Sequence, residues 1–434
     1  MGFRLDELLE ILNPERVALD GEIELSGVSI DSRSIKSGEA FVAIKGERYD
    51  GHDFACEAIA KSGSFAIVEK PVNCPHILVE SSLEALKRLA AYNLKKSGTF
   101  SVAVVGSVGK TTTKELLADF LSCKRSVCRS FANENNVIGV CKTLLKLKDE
   151  DFCVVEVGVN KPNEMGEIAS FFKPKGVLFL NVGSVHLEYF GSVERVFEEK
   201  AKIIQRDSVL VFNGDDRILR SAFGDRKNSF CYSKGAGCDF KVDAGDEYLF
   251  IGGGILEVKL RKRDDINPEN IVAAVCGACV FGGIKEERCF NRVLDSFEPP
   301  GLRMKTVWLG NTRVILDCYN ANVHSMRYAI EVLSKQKGKK LAVLGDMFEL
   351  GELSESLHRD VGRFLKGRGI DLCAVGEEAR FIYEEARNGA NRWYFSNKQE
   401  LIEFLKERML EYDVVLFKAS RGMKLEEIFE AVRS

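Results

Sequence analysis

The sequence predicts an α/β fold in three successive units, the second built on a central P-loop ATPase-like parallel sheet and the third on a Rossmann-like open sheet. Three observations carry this expectation. From about residue 99 onward, apolar runs of strand length alternate with amphipathic helical stretches, the pattern of parallel α/β architecture. Ser97-Gly98 closes a long periodic helix, and glycine in that place is a helix stop. Pro299-Pro300-Gly301 breaks any regular element. The two breaks set the expected domains at residues 1–98, 99–300 and 301–434.

The elements follow in order. Met1–Asn13 reads as an amphipathic helix interrupted by charges, followed by strand-like runs at Ala40–Ile44, Phe65–Val68 and Ile77–Val79 and a helix over Leu83–Lys96. The second unit carries buried-type strands at Phe100–Val105, Phe152–Val157, Val177–Val182 and Val209–Phe212. The third carries them at Val314–Leu316, Leu341–Leu344, Leu372–Val375 and Val414–Phe417, a series suited to an open doubly wound sheet. There is no internal repeat and no low-complexity segment.

Composition narrows the class. Hydrophobic residues at 45% and charged residues at 29% suit a soluble globular chain. A net charge of −3, from 62 basic and 65 acidic residues, gives no bulk attraction to nucleic acid or to an acidic membrane. The longest uncharged stretch, Ile271–Ile284, is shorter than the roughly 20 residues a span requires. The N-terminus lacks the apolar core of a signal peptide. A cytoplasmic protein is expected. The thirteen cysteines are odd in number and scattered, with Cys153, Cys276, Cys318 and Cys373 inside apolar runs; they read as buried free thiols in a reducing cytosol.

The strongest local signal is Phe100-Ser-Val-Ala-Val-Val-Gly-Ser-Val-Gly-Lys-Thr-Thr-Thr-Lys114, an apolar strand running into Gly106, Ser107, Gly109, Lys110, Thr111 and Thr112 and then a helix. Glycines let backbone N–H groups close on phosphate oxygens, and the helix N-terminus adds partial positive charge. Lys110 supplies an ammonium for the terminal phosphates of ATP, and the Thr111 hydroxyl can ligate Mg²⁺. Val104 stands where the first glycine of the full Walker pattern would be.

Glu156 ends the apolar run Phe-Cys-Val-Val-Glu, where open α/β sheets bind ligands. It is either a metal ligand or a turn carboxylate. His186, one of five histidines, follows the next core strand and is either structural or a ligand. Cys276 and Cys279 have metal-like spacing but no second pair, and their apolar context reads as a buried helix. Gly252-Gly-Gly254 reads as a hairpin turn.

Taken together, these segments resemble the Mur ligases, ATP-dependent amide ligases of peptidoglycan precursor synthesis. Val105–Glu115 resembles the family's short phosphate loop; Asn133–Gly139, Glu156–Asn160 and Asn181–Gly191 resemble the motifs that follow it. The resemblance implies ATP and Mg²⁺, with Asn135 and Asn136 at the nucleotide and with Glu156 and His186 as metal ligands. Lys200 falls where many members carry a carbamylated lysine, with Lys202 the alternative in the loose run Glu-Lys-Ala-Lys-Ile. Asn213–Asp216 resembles a strand end of the family. Asn267-Pro-Glu-Asn270 resembles the segment whose asparagine contacts adenine, which assigns Asn270.

Third-unit motifs Asp317–Met326, Gly345–Gly351 and Lys418–Arg421 resemble those of members that add D-alanyl-D-alanine to UDP-N-acetylmuramoyl-tripeptide. There the resemblance gives Arg303 and Asp317 to the nucleotide. It gives Tyr319, Asn320, Asn322, Ser420 and Arg421 to the dipeptide end. In the first unit, Val28–Arg33 and Phe41–His52 resemble UDP-binding segments, which assigns Ser32, Arg33, Arg48, Gly51 and His52 to the substrate; on residues alone they are polar loops. A monomer that closes its domains before chemistry is implied. Two alternatives remain: another Mur-type or folylpolyglutamate-type ligase, and a P-loop ATPase without ligation, which leaves the third-unit motifs without a role.

Overall fold

The computed structural model describes residues 2–19, 25–46, 48–61, 63–387 and 390–433; Glu47, inside the first unit's expected binding segment, lies outside them. Three sheets follow one another along the chain. The first places Arg16–Ala18, His76–Leu78, Ala66–Val68, Glu39–Val42 and Gly27–Ser29 side by side, parallel except for the first. The helix Ser82–Ser97 then begins where the Ser81 hydroxyl accepts from the Glu84 N–H at 3.3 Å, and it stops at Gly98 with φ +68°. That is the expected glycine stop, since a left-handed residue closes a helix and glycine adopts that conformation without a Cβ penalty. Asn93, buried on this helix, donates to the carbonyls of Leu144 and Leu147 at 2.8 and 3.0 Å, which ties the first sheet's helix to the second unit.

The second sheet has nine strands, with Phe100–Val105 between Gly176–Phe179 and Phe152–Glu156. Its parallel part agrees with expectation. Its far edge is an antiparallel addition, Phe240–Ala244, Tyr248–Gly252 and Glu257–Arg261. These strands alternate buried and exposed residues, the mark of a sheet with one wet face, and this weaker period-two signal was not among the strands expected. Gly252-Gly-Gly254 does turn a hairpin there. The helix Pro268–Gly282 packs on Lys110–Leu121 with Cys276 and Cys279 buried, so this spacing belongs to the core.

In the third sheet the order is Lys305–Leu309, Thr312–Asp317, Val414–Lys418, Lys340–Gly345, Asp371–Val375 and Arg392–Phe395, parallel except for the first pair. The chain reverses direction of winding beside Val414–Lys418, and the carboxyl ends Asp317, Lys418 and Gly345 come together there. Open α/β sheets bind ligands at such switch points. Apolar clusters cover both faces.

One expectation is corrected. Cys153, Cys276, Cys318 and Cys373 are buried free thiols, but Cys56–Cys74 and Cys231–Cys238 are disulfides with Cα atoms 5.5 and 5.0 Å apart. Apolar context identifies buried thiols, whereas pairing depends on tertiary proximity, which spacing alone does not reveal. Cys56–Cys74 closes a loop of 18 residues, so its reduction is expected to cost the first unit about 3 kcal/mol. Calorimetry with and without reductant, repeated on Cys56→Ser, checks this; a reductant-insensitive first transition contradicts it. Among the described residues, no helix is long and apolar enough to cross a membrane.

Candidate active site

The strand Phe100–Val105 delivers the chain into a tight loop, and the helix Lys110–Leu121 leaves it. Gly109 turns the corner at φ +83°, and a Cβ there would sit 2.3 Å from Oδ1 of Asn270. Glycine is therefore required twice, by backbone angle and by the closeness of Asn270. Asn181 holds the loop from behind: its Oδ1 accepts the N–H groups of Ser107 and Val108 at 3.0 and 2.9 Å. Ser107 Oγ accepts from Gly183 N–H at 2.8 Å. The expected phosphate contact through Ser107 is thus committed to shaping the loop. The first turn of the following helix keeps its N–H groups for an anion.

A cavity of about 330 Å³ lies over this helix start, between the second and third sheets. Lys110 lines it and donates to the carbonyls of Gly106 and Ser107 at 2.9 and 3.4 Å. Burial pushes its pKa down, Glu156 opposes that shift, and Arg303 adds to it. Arg303 reaches across from the third unit: Nη2 donates to Thr111 Oγ1 at 2.9 Å, and its guanidinium stacks 3.5 Å from the centre of the Tyr319 ring. Lys110 and Arg303 thus both rest on local acceptors and both face the place where phosphates would sit.

Glu156 ends its strand 2% exposed, with its N–H on Ser130 Oγ at 3.0 Å. Oε1 accepts from Asn135 Nδ2 at 2.8 Å, while Oε2 is buried with no hydrogen-bond partner. A buried carboxylate oxygen left unpaired is costly and fits a cation. Among the described residues, no cluster of three or more His, Cys, Asp or Glu side chains could hold a metal. Mg²⁺ would therefore draw on few protein ligands plus phosphate, as is usual for this ion. Thr111, Glu156 and His186 all line the cavity.

His186 stands at φ +54° at the start of the short helix Leu187–Phe190. Burial lowers its pKa, a neighbouring Glu349 raises it, and Lys200 lowers it again. Lys200 is 1% exposed, and burial takes its pKa well below the usual lysine range, with Lys110 adding to the shift. Lys202, the alternative, is half-exposed and paired with Glu199 at 2.7 Å. Position thus separates the two lysines.

Asn270, Arg303, Asp317, Tyr319, Asn320 and Asn322 line the same cavity. Asp317 is held by Lys418 at 2.5 Å and by the Met304 N–H at 3.3 Å. Lys418, 1% exposed, also donates to the Asn320 carbonyl at 3.1 Å. It was not singled out from the sequence, although it ends an apolar strand just as Glu156 does. Other expected residues stand elsewhere. Asn136 caps the helix Val137–Leu145 by accepting from Gly139 N–H at 2.9 Å, outside the cavity. Ser420 Oγ is buried and accepts from Phe348 N–H at 2.9 Å, and exposed Arg421 pairs with Glu426.

Asn136→Ala is therefore expected to cost about 1 kcal/mol of stability with nucleotide affinity unchanged. Asn135→Ala should weaken metal-nucleotide binding instead. Thermal melts and nucleotide titrations distinguish the two, and equal nucleotide losses in both variants contradict the assignment.

In the first unit a cleft of about 1470 Å³ is lined by Ser32, Arg33, Arg48 and Gly51, with Lys142, Lys146 and Lys148 contributed by the second unit. It offers cationic side chains from two units to an anionic ligand. Asp31 takes the Arg33 guanidinium at 2.8 and 2.9 Å, and that contact holds its carboxyl at about 2. His52 does not line the cleft. It is buried, with Nδ1 on Asp50 at 2.5 Å and Nε2 accepting from Glu69 N–H at 2.8 Å, so both ring nitrogens serve the fold.

A phosphate loop capped by side chains of another sheet suits an enzyme that reacts a nucleotide with something delivered from the far side. Three family models fall along the chain in sequence: Mur ligase family, catalytic domain, on residues 24–95; Mur ligase middle domain on 104–278; and Mur ligase, glutamate ligase domain, on 302–421. The chain belongs to the Mur ligase family. The UDP-N-acetylmuramoyl-tripeptide–D-alanyl-D-alanine ligase of Escherichia coli (strain K12) is 33% identical over 449 residues, covering 99% of this chain and 98% of that protein. The crystal structure of MurF from Acinetobacter baumannii superposes with a TM-score of 0.88 at 27% identity, over 100% of this chain and 99% of that one. MurF from Thermotoga maritima in complex with ADP does so at 0.81 and 30% identity, over 94% and 97%.

Proposed function

We propose that this chain joins D-alanyl-D-alanine to UDP-N-acetylmuramoyl-tripeptide at the expense of ATP, giving UDP-N-acetylmuramoyl-pentapeptide, ADP and phosphate in peptidoglycan precursor synthesis. The observation that carries this reading is the cavity in which Lys110 and Thr111 of the phosphate loop meet Arg303, Tyr319 and Asn320 of the third sheet. A bare ATPase has no use for that second wall. The likeness to D-alanyl-D-alanine-adding relatives over nearly the whole chain supports the particular substrates.

The reaction needs an acid made electrophilic. The terminal carboxylate of the tripeptide attacks the γ-phosphorus of ATP, the bond to the β-phosphate oxygen breaks, and ADP leaves. The amine of D-alanyl-D-alanine then attacks the acyl carbon, loses a proton, and expels phosphate. Two anions must be brought together first, so the protein's task is alignment and charge neutralisation. Lys110 and Arg303 exchange their present acceptors for phosphate oxygens. Asn135 fixes Glu156, and Asp317 with Lys418 fixes the third-unit wall.

Thr111 and Glu156 would hold one Mg²⁺ and His186 a second, which when bound would supply Lewis-acid neutralisation of the phosphates. Burial disfavours the charged form of the Lys200 amine; carbon dioxide added to its nitrogen, with loss of a proton, would give a carbamate, the anion of the second position. The cationic cleft of the first unit takes the UDP moiety, and Asn270 lies at the adenine end. The domains run 1–98, 99–300 and 301–434, in a cytoplasmic monomer without membrane insertion or nucleic-acid partner.

Phosphate release from Mg-ATP, omitting the tripeptide nucleotide or the dipeptide in turn, tests the function. Release that requires both, with pentapeptide by mass spectrometry, is the expected result. Turnover without the dipeptide contradicts it.

A further inference from the structure

The second and third units also touch at a contact whose third-unit partner the chemistry above does not use. Glu349, in the loop after the strand Lys340–Gly345, places Oε2 on Nδ1 of His186. Its carbonyl accepts the N–H of Glu188 at 3.4 Å. Both residues of the side-chain contact hold left-handed backbone, φ +54° at His186 and +62° at Glu349. Such angles are uncommon outside glycine and persist where the surroundings impose them. Two residues on, Gly351 has φ +57°, and a Cβ there would lie 3.3 Å from the Glu188 Cα. Leu357, just beyond, packs against the apolar clusters of both units. The seam is therefore a fitted backbone-to-backbone contact as well as a side-chain hydrogen bond.

A carboxylate on Nδ1 fixes the imidazole tautomer. Nδ1 carries the hydrogen and donates, so Nε2 keeps its lone pair. Metal-bound histidines take such a partner on the other ring nitrogen, and it sets ring orientation as well as tautomer. Here the partner comes from a different unit than the histidine. We infer that Glu349 is a positioning residue that orients His186 for a metal ion only when the third unit is docked on the second, so that this metal site is completed by domain closure. The inference rests on the reading of His186 as a ligand given under Proposed function. It extends that reading by assigning the ligand's orientation to another unit.

The test is Mn²⁺ binding to the full chain in the presence of ADP, read as free Mn²⁺ by electron paramagnetic resonance, with ADP affinity in chelator as the control for fold. Glu349→Ala is expected to weaken one Mn²⁺ site by about 10- to 100-fold, with ADP affinity in chelator unchanged. Glu349→Gln, whose amide oxygen can still accept from Nδ1, should lose less. His186→Ala should weaken the same site, and the double variant should bind no worse than His186→Ala alone.

A Glu349→Ala variant with native or tighter Mn²⁺ binding overturns the inference, because the carboxylate would then be idle or a block. Native binding in His186→Ala would instead overturn the metal role of His186, and the inference would fall with it.

Discussion

Lys110→Met is expected to lower kcat by about a thousandfold, the upper end of what removal of one preorganised charge donor costs. Lys110 lines the cavity and rests on the Gly106 and Ser107 carbonyls, acceptors within its own loop, so its ammonium can transfer to phosphate without rebuilding the fold. Burial already works against its charge and Glu156 opposes that effect; an anionic ligand would offset the cost further. Methionine keeps the length and apolar stem, so the ligand-free thermal midpoint should hold while turnover collapses. Single-turnover kinetics at saturating nucleotide separates weaker binding from slower chemistry. A variant that keeps more than about a tenth of the native rate would show that neutralisation at this point is not what the loop supplies.

Glu156→Gln is the second large effect, a loss of about a hundredfold or more in kcat/KM, consistent with the several kcal/mol that a properly held metal contributes. The substitution keeps the acceptor that Asn135 uses and removes the charge from the oxygen that has no partner. The diagnostic is linkage. Mg²⁺ with nucleotide should raise the thermal midpoint of the native protein, because a ligand that binds only the folded state stabilises it. Glu156→Gln should keep the nucleotide's own increment and lose the magnesium-dependent part. An intact magnesium increment would place the ion elsewhere.

Much of this site was legible in the sequence because chemistry-bearing residues punctuate apolar strands. Glu156 ends an apolar strand and Lys110 opens the helix that follows one, places where a charged group stands out against its apolar context. Lys418 carries the same signal, closing Val414–Lys418, within a longer motif whose resemblance points instead to Ser420 and Arg421. Those two, with Asn136 and His52, show the limit of motif reading. A one-residue step on a strand or cap decides whether a polar side chain faces the cavity or closes a backbone turn, and spacing does not report which. Asn135 and Asn136 are the clearest pair: one holds a carboxylate and the other caps a helix.

Other features were out of reach for a different reason. The Glu349–His186 contact joins residues 163 positions apart on different sheets, and the disulfides join cysteines whose flanks differ in no visible way from those of free thiols. The first depends on how two units dock, the second on how each unit folds its own cysteines together, and no local pattern encodes either. The antiparallel edge of the second sheet was in principle readable from Tyr248–Gly252 and Glu257–Arg261, where apolar and polar residues alternate. Short half-wet strands give a fainter signal than the buried runs of a parallel core.

The central claim is that the acid is activated by phosphorylation in the cavity between the second and third units. The most direct test uses UDP-N-acetylmuramoyl-tripeptide with heavy oxygen in its terminal carboxylate, turned over with Mg-ATP and D-alanyl-D-alanine. The released phosphate is then analysed by mass. An acyl phosphate requires one labelled oxygen to leave with phosphate for each amide formed, because the oxygen that attacks phosphorus is the one expelled from carbon. Unlabelled phosphate accompanying labelled or unlabelled pentapeptide would mean that ATP is cleaved by water and the amide is made by another route, which contradicts the account.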